Sequence, residues 1–271
     1  MYKSILVHVE RGGEDRVRLA LDLAKRHGAS LIGLAADMWL PAIAASGFDA
    51  GTSAQMIQAA QEEVEANLKA AEESFGKWTE KQGVTVEWRS AVKFPEPLLV
   101  SMAGAADVVV MGSLAASQIG GMYHQVNPGD VVMDTGRPVL VVPPDVASVS
   151  GQKIVAGWKD TRESRRALLD ALPLMTLAQS VQLVHVSEGE PAAESLRDAE
   201  SFLAHHGVAV RSQTVSNGKS AHEELLRIAT ETSADLIVAG SYGRSRLREW
   251  IFGGVTRGLL TESPIACLFS H

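Results

Sequence analysis

Hydrophobic and polar positions fall into two kinds of run along this chain. Short, nearly continuous runs of Val, Ile, Leu and Ala occur at residues 4–9, 30–35, 84–91, 107–112 and 139–142, and again at 153–158, 181–186, 208–214, 236–239 and 265–269. Short unbroken apolar runs of this kind predict strands buried on both faces. Between them lie longer segments with apolar positions every third or fourth residue. These predict helices over 14–27, 54–81, 96–104, 163–172, 193–205, 221–232 and 255–261. In the longest, Ile57, Val64, Leu68, Ala71, Phe75 and Trp78 lie on one stripe, while Glu62, Glu63, Glu65, Glu72 and Glu73 fall off it and form a solvent face.

The pattern is written twice. Lys3-Ser-Ile-Leu-Val-His-Val9 has a counterpart in Lys153-Ile-Val-Ala-Gly-Trp158. Asp107-Val-Val-Val-Met-Gly-Ser113 matches Asp235-Leu-Ile-Val-Ala-Gly-Ser241, and Arg137-Pro-Val-Leu-Val-Val142 matches Ser263-Pro-Ile-Ala-Cys-Leu268. Three matches in one order predict two copies of one domain, 1–145 and 152–271, joined through Pro143-Pro144 and a small polar stretch ending at Gly151. The first copy is longer chiefly because of a Gly/Ala/Ser-rich insertion carrying Trp39, Pro41 and Phe48, read as a loop packed on its own domain. Strands alternating with helices predict an α/β fold: two tandem doubly wound domains, each a five-stranded parallel sheet with helices on both faces, Rossmann-like. Ligands of such sheets lie beyond the carboxyl ends of the strands, where strand order reverses, which points to the loops after strands one and four.

Composition narrows the function. The 271 residues are 46% hydrophobic and 21% charged, which excludes a disordered chain. A net charge of −7 argues against extended nucleic-acid binding, since Arg244, Arg246 and Arg248 form the one basic cluster. No apolar run approaches the length of a membrane span or a secretory signal, and a single cysteine, Cys267, precludes an intrachain disulfide. A cytoplasmic protein without membrane partner is expected. His205-His206 suits a helix end and His8 and His185 sit within strands; no metal ligand set is discernible.

The most chemically specific segment is Val238-Ala-Gly240-Ser-Tyr-Gly243-Arg244, with nine residues between Gly243 and the following Gly253-Gly254-Val255-Thr256. Gly240 and Gly243 allow a tight turn and close approach of backbone to ligand. Gly253-Gly254 opens the last helix, whose bare amides and dipole favour phosphate, with the Thr256 hydroxyl as a further donor. Trp250 and Phe252 are read as packing that loop onto the sheet.

These residues resemble the universal stress protein family in its tandem form. The ATP-binding members of that family carry Gly-x2-Gly-x9-Gly-(Ser/Thr) after strand four. Gly240, Gly243 and Gly253 are in place, and Gly254 stands where Ser or Thr is usual. Trp158-Lys-Asp-Thr-Arg-Glu-Ser164, Asp170-Ala-Leu-Pro173, Leu183-Val-His-Val186 and Val215-Ser-Asn-Gly218 extend the resemblance over the second copy. It implies a fold like that of the adenine nucleotide alpha hydrolases. It also implies a site for ATP or a related adenine nucleotide, with Mg as accompanying ion: Val186 against adenine, Lys159 or Asp160 at the ribose or phosphate, Gly240, Gly243 and Arg244 under the phosphates, and Gly253, Gly254, Val255 and Thr256 at the helix start. In the first copy Gly112-Ser-Leu-Ala115 replaces the glycine loop, Val126-Asn-Pro-Gly-Asp130 stands at its far end, Glu10 takes the ribose-acid place and Ala35 that of Val186, so that site reads as lost or altered.

The resemblance further implies a role in stress adaptation through binding and conformation, pairing of the two domains through their last strands (139–142 and 265–269), and association into a homodimer. A non-nucleotide scaffold of the same fold is the alternative. An enzyme is disfavoured because no nucleophile or acid–base pair is identifiable, which leaves room only for slow ATP hydrolysis.

Overall fold

The computed structural model describes residues 1–10, 12–39, 50–113, 126–144, 146–187, 189, 193–216, 220–241 and 254–271. The first half runs β1 (Ser4–His8), α1 (Glu14–His27), β2 (Ser30–Asp37), α2 (Ala50–Thr79), β3 (Val86–Val92), α3 (Pro95–Met102), β4 (Val108–Gly112), α4 (Pro128–Asp134) and β5 (Val139–Val142). The second runs β6 (Lys153–Gly157), α5 (Arg162–Met175), β7 (Ser180–Ser187), α6 (Ala193–His205), β8 (Val210–Ser216), α7 (Ala221–Thr232), β9 (Leu236–Gly240), α8 (Val255–Glu262) and β10 (Ala266–Ser270).

Ten strands of the described residues form one sheet in the order β3-β2-β1-β4-β5-β10-β9-β6-β7-β8. Within each half every pairing is parallel. The halves join where β5 and β10 run antiparallel, Val139 opposite Phe269, Leu140 opposite Leu268 and Val141 opposite Cys267. Each half therefore reverses its strand order between its first and fourth strands: β1 with β4, and β6 with β9.

Helices cover both faces. Helices α1, α2, α5 and α6 pack on one face, and α3, α4, α7 and α8 on the other. This two-sided cover explains why central strands such as β4 are buried at every residue, whereas edge strands β3 and β8 are half exposed. No helix of the described residues is long and apolar enough to cross a membrane.

The repeat extends to the hydrogen bonds. Asp107 Oδ2 accepts from the amides of Lys3 and Ser4 at 2.5 and 3.0 Å, and Asp235 Oδ2 accepts from Ser150 and Gly151 at 2.5 and 3.1 Å. Each aspartate so fixes the entry of its half's first strand. The segment between the halves is held further by Arg26, which donates to the carbonyls of Val149 and Ser150. Tyr2 donates to the Asp170 carbonyl at 2.9 Å, tying the first strand's approach to α5 of the other half.

Two elements depart from the expected pattern. Helix α4 was not expected from a segment read as an altered loop; Asn127 caps it and Pro128 occupies its first turn, where a missing amide costs nothing. Helix α5 continues through Pro173 to Met175. The proline there removes the donor for the carbonyl of Leu169, which lies on the exposed side of the helix where water can replace it.

His27, in the last turn of α1, is buried against the Tyr2 ring at 5.0 Å between centroids, and neither ring nitrogen has a partner among the described residues. Burial first, then Arg26 and the chain's amino group, hold its pKa down to about 4. The unfolded chain takes up this proton near 6.5, so between pH 6.5 and 4 the unfolded state binds more protons than the folded one. Stability is expected to decline as pH falls through that window. Denaturation midpoints measured across it should flatten in His27→Leu; an unchanged slope would contradict a neutral buried imidazole.

Candidate functional site

The reversal point of the second half lies between β6 and β9, where Ala156 pairs with Val238. Among the described residues, four chain segments lie at its carboxyl edge. After β6, the Trp158 amide donates to the Val184 carbonyl at 2.7 Å, and Lys159 and Asp160 follow. Thr161 then caps α5, its hydroxyl accepting from the Ser164 amide at 3.3 Å. Asp160 is paired with Arg165 in the first turn of that helix, and both side chains are more than half exposed. An exposed pair of this kind contributes about 0–1 kcal/mol, so a ligand hydroxyl can compete for the carboxylate.

On β7, Val186 faces the side of the sheet covered by α7 and α8, while His185 faces the other side. The His185 Nδ1 lies 3.1 Å from the Trp158 carbonyl, an acceptor, so Nδ1 carries the hydrogen. Its Nε2 is a buried acceptor with no partner among the described residues. Of its two ring nitrogens, the protein thus satisfies one.

At the end of β9, Gly240 passes directly beside the start of α5. A Cβ there would lie 2.5 Å from the Ser164 amide nitrogen and 2.6 Å from the Glu163 carbonyl carbon. The sequence suggested a glycine needed for turning; its stronger requirement is this contact with another helix's backbone. Ser241 is fully buried, and both its amide and its hydroxyl donate to the Ser270 carbonyl. Beside it, Glu163 at the start of α5 keeps its carboxyl below the usual range. Burial pushes it up, but backbone and Thr161 hydrogen bonds, Arg162 and His271 together outweigh that.

The fourth segment is the start of α8. Gly254 caps it and has no side chain to accept from the first-turn amides, and that turn contains no acid. Thr256 is buried in this turn. Gly243, Arg244 and Gly253, with Arg246, Arg248, Trp250 and Phe252, lie outside the described residues.

The first half keeps the frame and changes the chemistry. The Val9 amide bonds to the Leu34 carbonyl as Trp158 does to Val184, which makes Ala36, rather than Ala35, the counterpart of Val186. The corresponding helix caps, Gly13 and Thr161, place Arg16 where the second half has Ser164. Arg16 is buried, with Nη1 2.8 Å from Glu10 Oε1 and donating to the His8 carbonyl at 3.1 Å. The residue at the ribose-acid place is thus engaged by the protein's own guanidinium. His8, beneath it, has its pKa lowered chiefly by burial.

At the start of α4 the acceptors also come from the chain. Asn127 Oδ1 accepts from the Gly129 amide at 3.0 Å, and its Nδ2 donates to Asp130 at 2.7 Å. Glu96 sits nearby with its carboxyl pushed up by burial and then by Asp130 and Asp134. This helix start is capped and acidic, whereas that of α8 has a glycine cap and no acid.

A family model described as the universal stress protein family matches the chain twice, over residues 1–143 and 151–271. A universal stress protein of Methanocaldococcus jannaschii is 38% identical over 42 residues, 16% of this chain and 26% of that protein's length. The chain thus matches about a quarter of that relative's length. A universal stress protein from Archaeoglobus fulgidus superposes with a TM-score of 0.70 over 98% of this chain and 95% of its own, at 18% identity. A functionally unknown protein from Pseudomonas aeruginosa does so with a TM-score of 0.57 over 99% and 92%, at 17% identity. At such identities the superpositions speak for the fold.

Proposed function

The chain belongs to the universal stress protein family, and from that premise we propose that it binds one adenine nucleotide, ATP or a close relative, in its second half. The observation that carries this reading is the contrast between the two helix starts. Among the described residues, Gly254 offers no side chain to cap the first turn of α8 and that turn carries no acid, while at the start of α4 Asn127 supplies a cap, Pro128 removes an amide and Asp130 adds a negative charge. Phosphate is attracted by the first arrangement and repelled by the second.

In this reading Val186 offers its backbone to adenine, Asp160 exchanges Arg165 for ribose hydroxyls, and Lys159 neutralises phosphate. Gly240, Gly243 and Arg244 carry the phosphate chain to the amides of Gly253, Gly254, Val255 and Thr256. The unit 1–145 is the structural partner of the unit 152–271. The protein acts in stress adaptation by ligand-dependent conformation in the cytoplasm, as a homodimer, without rapid turnover.

A scaffold without nucleotide is the second reading, favoured by Lys159 and Gly254 standing where the family's ATP binders carry an acid and a hydroxyl residue. Mass spectrometry of the protein as purified, with and without added Mg-ATP, separates the two. A retained or retainable adenine nucleotide is expected, and it should disappear in Gly243→Leu. No nucleotide bound at millimolar ligand would overturn the proposal in favour of the scaffold.

A further inference from the structure

Helix α7 begins with a complete set of caps: the Ser220 side chain serves the third residue's amide, and Glu223 reaches back to the Ser220 amide at 2.8 Å. The second residue of this well-anchored turn is His222, and its imidazole lies across α8. A Cβ on Gly258 would fall 2.3–2.5 Å from the ring's Cγ, Cδ2 and Nδ1. Glycine at 258 is therefore what allows the ring to rest on the helix backbone. One turn further on, His222 Nε2 lies 3.4 Å from the Glu262 carboxylate. The side chain is 12% exposed, and Nδ1 is buried without a partner among the described residues. A leucine would fill this place without the cost of an unmet polar atom, so packing alone is a weak reason for histidine.

Helix α8 has eight residues, and a helix so short owes its placement to its contacts. The Gly258 amide donates to the Gly254 carbonyl at 3.1 Å, so the first turn hangs directly from the residue under the imidazole. The first half supplies a comparison. Glu96 is the second residue of α3 as His222 is of α7; its carboxyl accepts from the Asn127 amide and feels the charges of Asp130 and Asp134 on α4. Where the helix start is capped and acidic, the bracing position holds a carboxylate among carboxylates; where it has a glycine cap and no acid, that position holds an imidazole against one.

We infer that His222 is a positioning residue for the phosphate end of the site: its ring, seated on Gly258 and Glu262, sets the height of α8 and aims the amides of residues 254–256. This rests on the nucleotide reading above and names a residue outside the set that reading uses.

The test is calorimetry of the full chain with two probes, ATP and adenosine, on the wild type, His222→Ala and His222→Gln. His222→Ala should bind ATP about tenfold more weakly, the loss of about one charge-assisted hydrogen bond to phosphate, and adenosine with unchanged affinity. His222→Gln, which keeps an N–H donor toward Glu262, should recover most of the loss. Equal weakening for both probes, or none for ATP, overturns the inference. Should His222→Ala not fold, Glu262→Gln takes its place, with a smaller loss confined to ATP. If the wild type binds neither probe, the nucleotide reading fails by itself. Amide exchange of residues 255–258 in the ligand-free chain then decides the positioning role: faster exchange in His222→Ala supports it, and equal exchange overturns it.

Discussion

Replacement of Glu10 by glutamine is expected to destabilise the protein by about 3 kcal/mol, the low end of the range for breaking a buried ion pair. The reason is the partner left behind. The Arg16 side chain is only 8% exposed, its Nε is buried without a partner among the described residues, and Nη1 donates to the His8 carbonyl and lies 2.8 Å from the Glu10 carboxylate as an ion pair. Glutamine removes the charge that justifies burying a guanidinium. Glu10 keeps 21% exposure, so water softens the loss, which sets the value at the low end. Removing both charges in Glu10→Leu/Arg16→Leu should recover most of the stability, because an apolar pair of similar volume has no desolvation to offset. Urea unfolding with an unchanged m-value measures both. A loss under about 1 kcal/mol in the single variant would mean that the pair behaves as a surface pair.

Gly240→Ala is expected to cost about 2–3 kcal/mol, a large effect for a single methyl group. The added Cβ meets backbone atoms of Ser164 and Glu163 at 2.5–2.9 Å, and backbone cannot rotate away as a side chain can. The start of α5 must shift, and with it Lys159 and Asp160, so ligand affinity should fall together with stability. Gly76 provides the control. It lies within α2, and a Cβ there meets nothing within 4 Å. Gly76→Ala should instead stabilise by about 0.5–1 kcal/mol, since alanine has less backbone freedom to lose. Thermal unfolding of the two variants side by side measures the difference, and similar shifts for both would contradict the close approach.

The frame was legible because apolar period and helix ends are local signals. Helices α1, α6 and α7 begin and end at the expected residues, and the repeat of Asp107 and Asp235 reappears as a repeated pair of amide contacts. What stayed hidden depends on neighbours distant in sequence or on competing uses of one residue. Val126-Asn-Pro-Gly-Asp130 reads as part of an altered site; Asn127, just before Pro128, is the capping signal that identifies α4. Arg16 reads as one more charge on an amphipathic helix, and nothing in its spacing reveals that the chain folds it onto Glu10. Ala36, rather than Ala35, is the counterpart of Val186 because β1 pairing with β2 fixes the register, and a one-residue shift between two alanines leaves no trace in the sequence. Gly240 was recognised for its place in a motif, while its contact with α5 needed coordinates.

The proposed function places one nucleotide site in each chain, in the half whose last helix has a glycine cap and no acid in its first turn. Calorimetric titration of the full chain with ATP tests it most directly through stoichiometry. One nucleotide per chain is predicted, lost in Gly243→Leu and retained in a first-half variant such as Asn127→Ala. Two nucleotides per chain, or one that survives Gly243→Leu, would contradict the account.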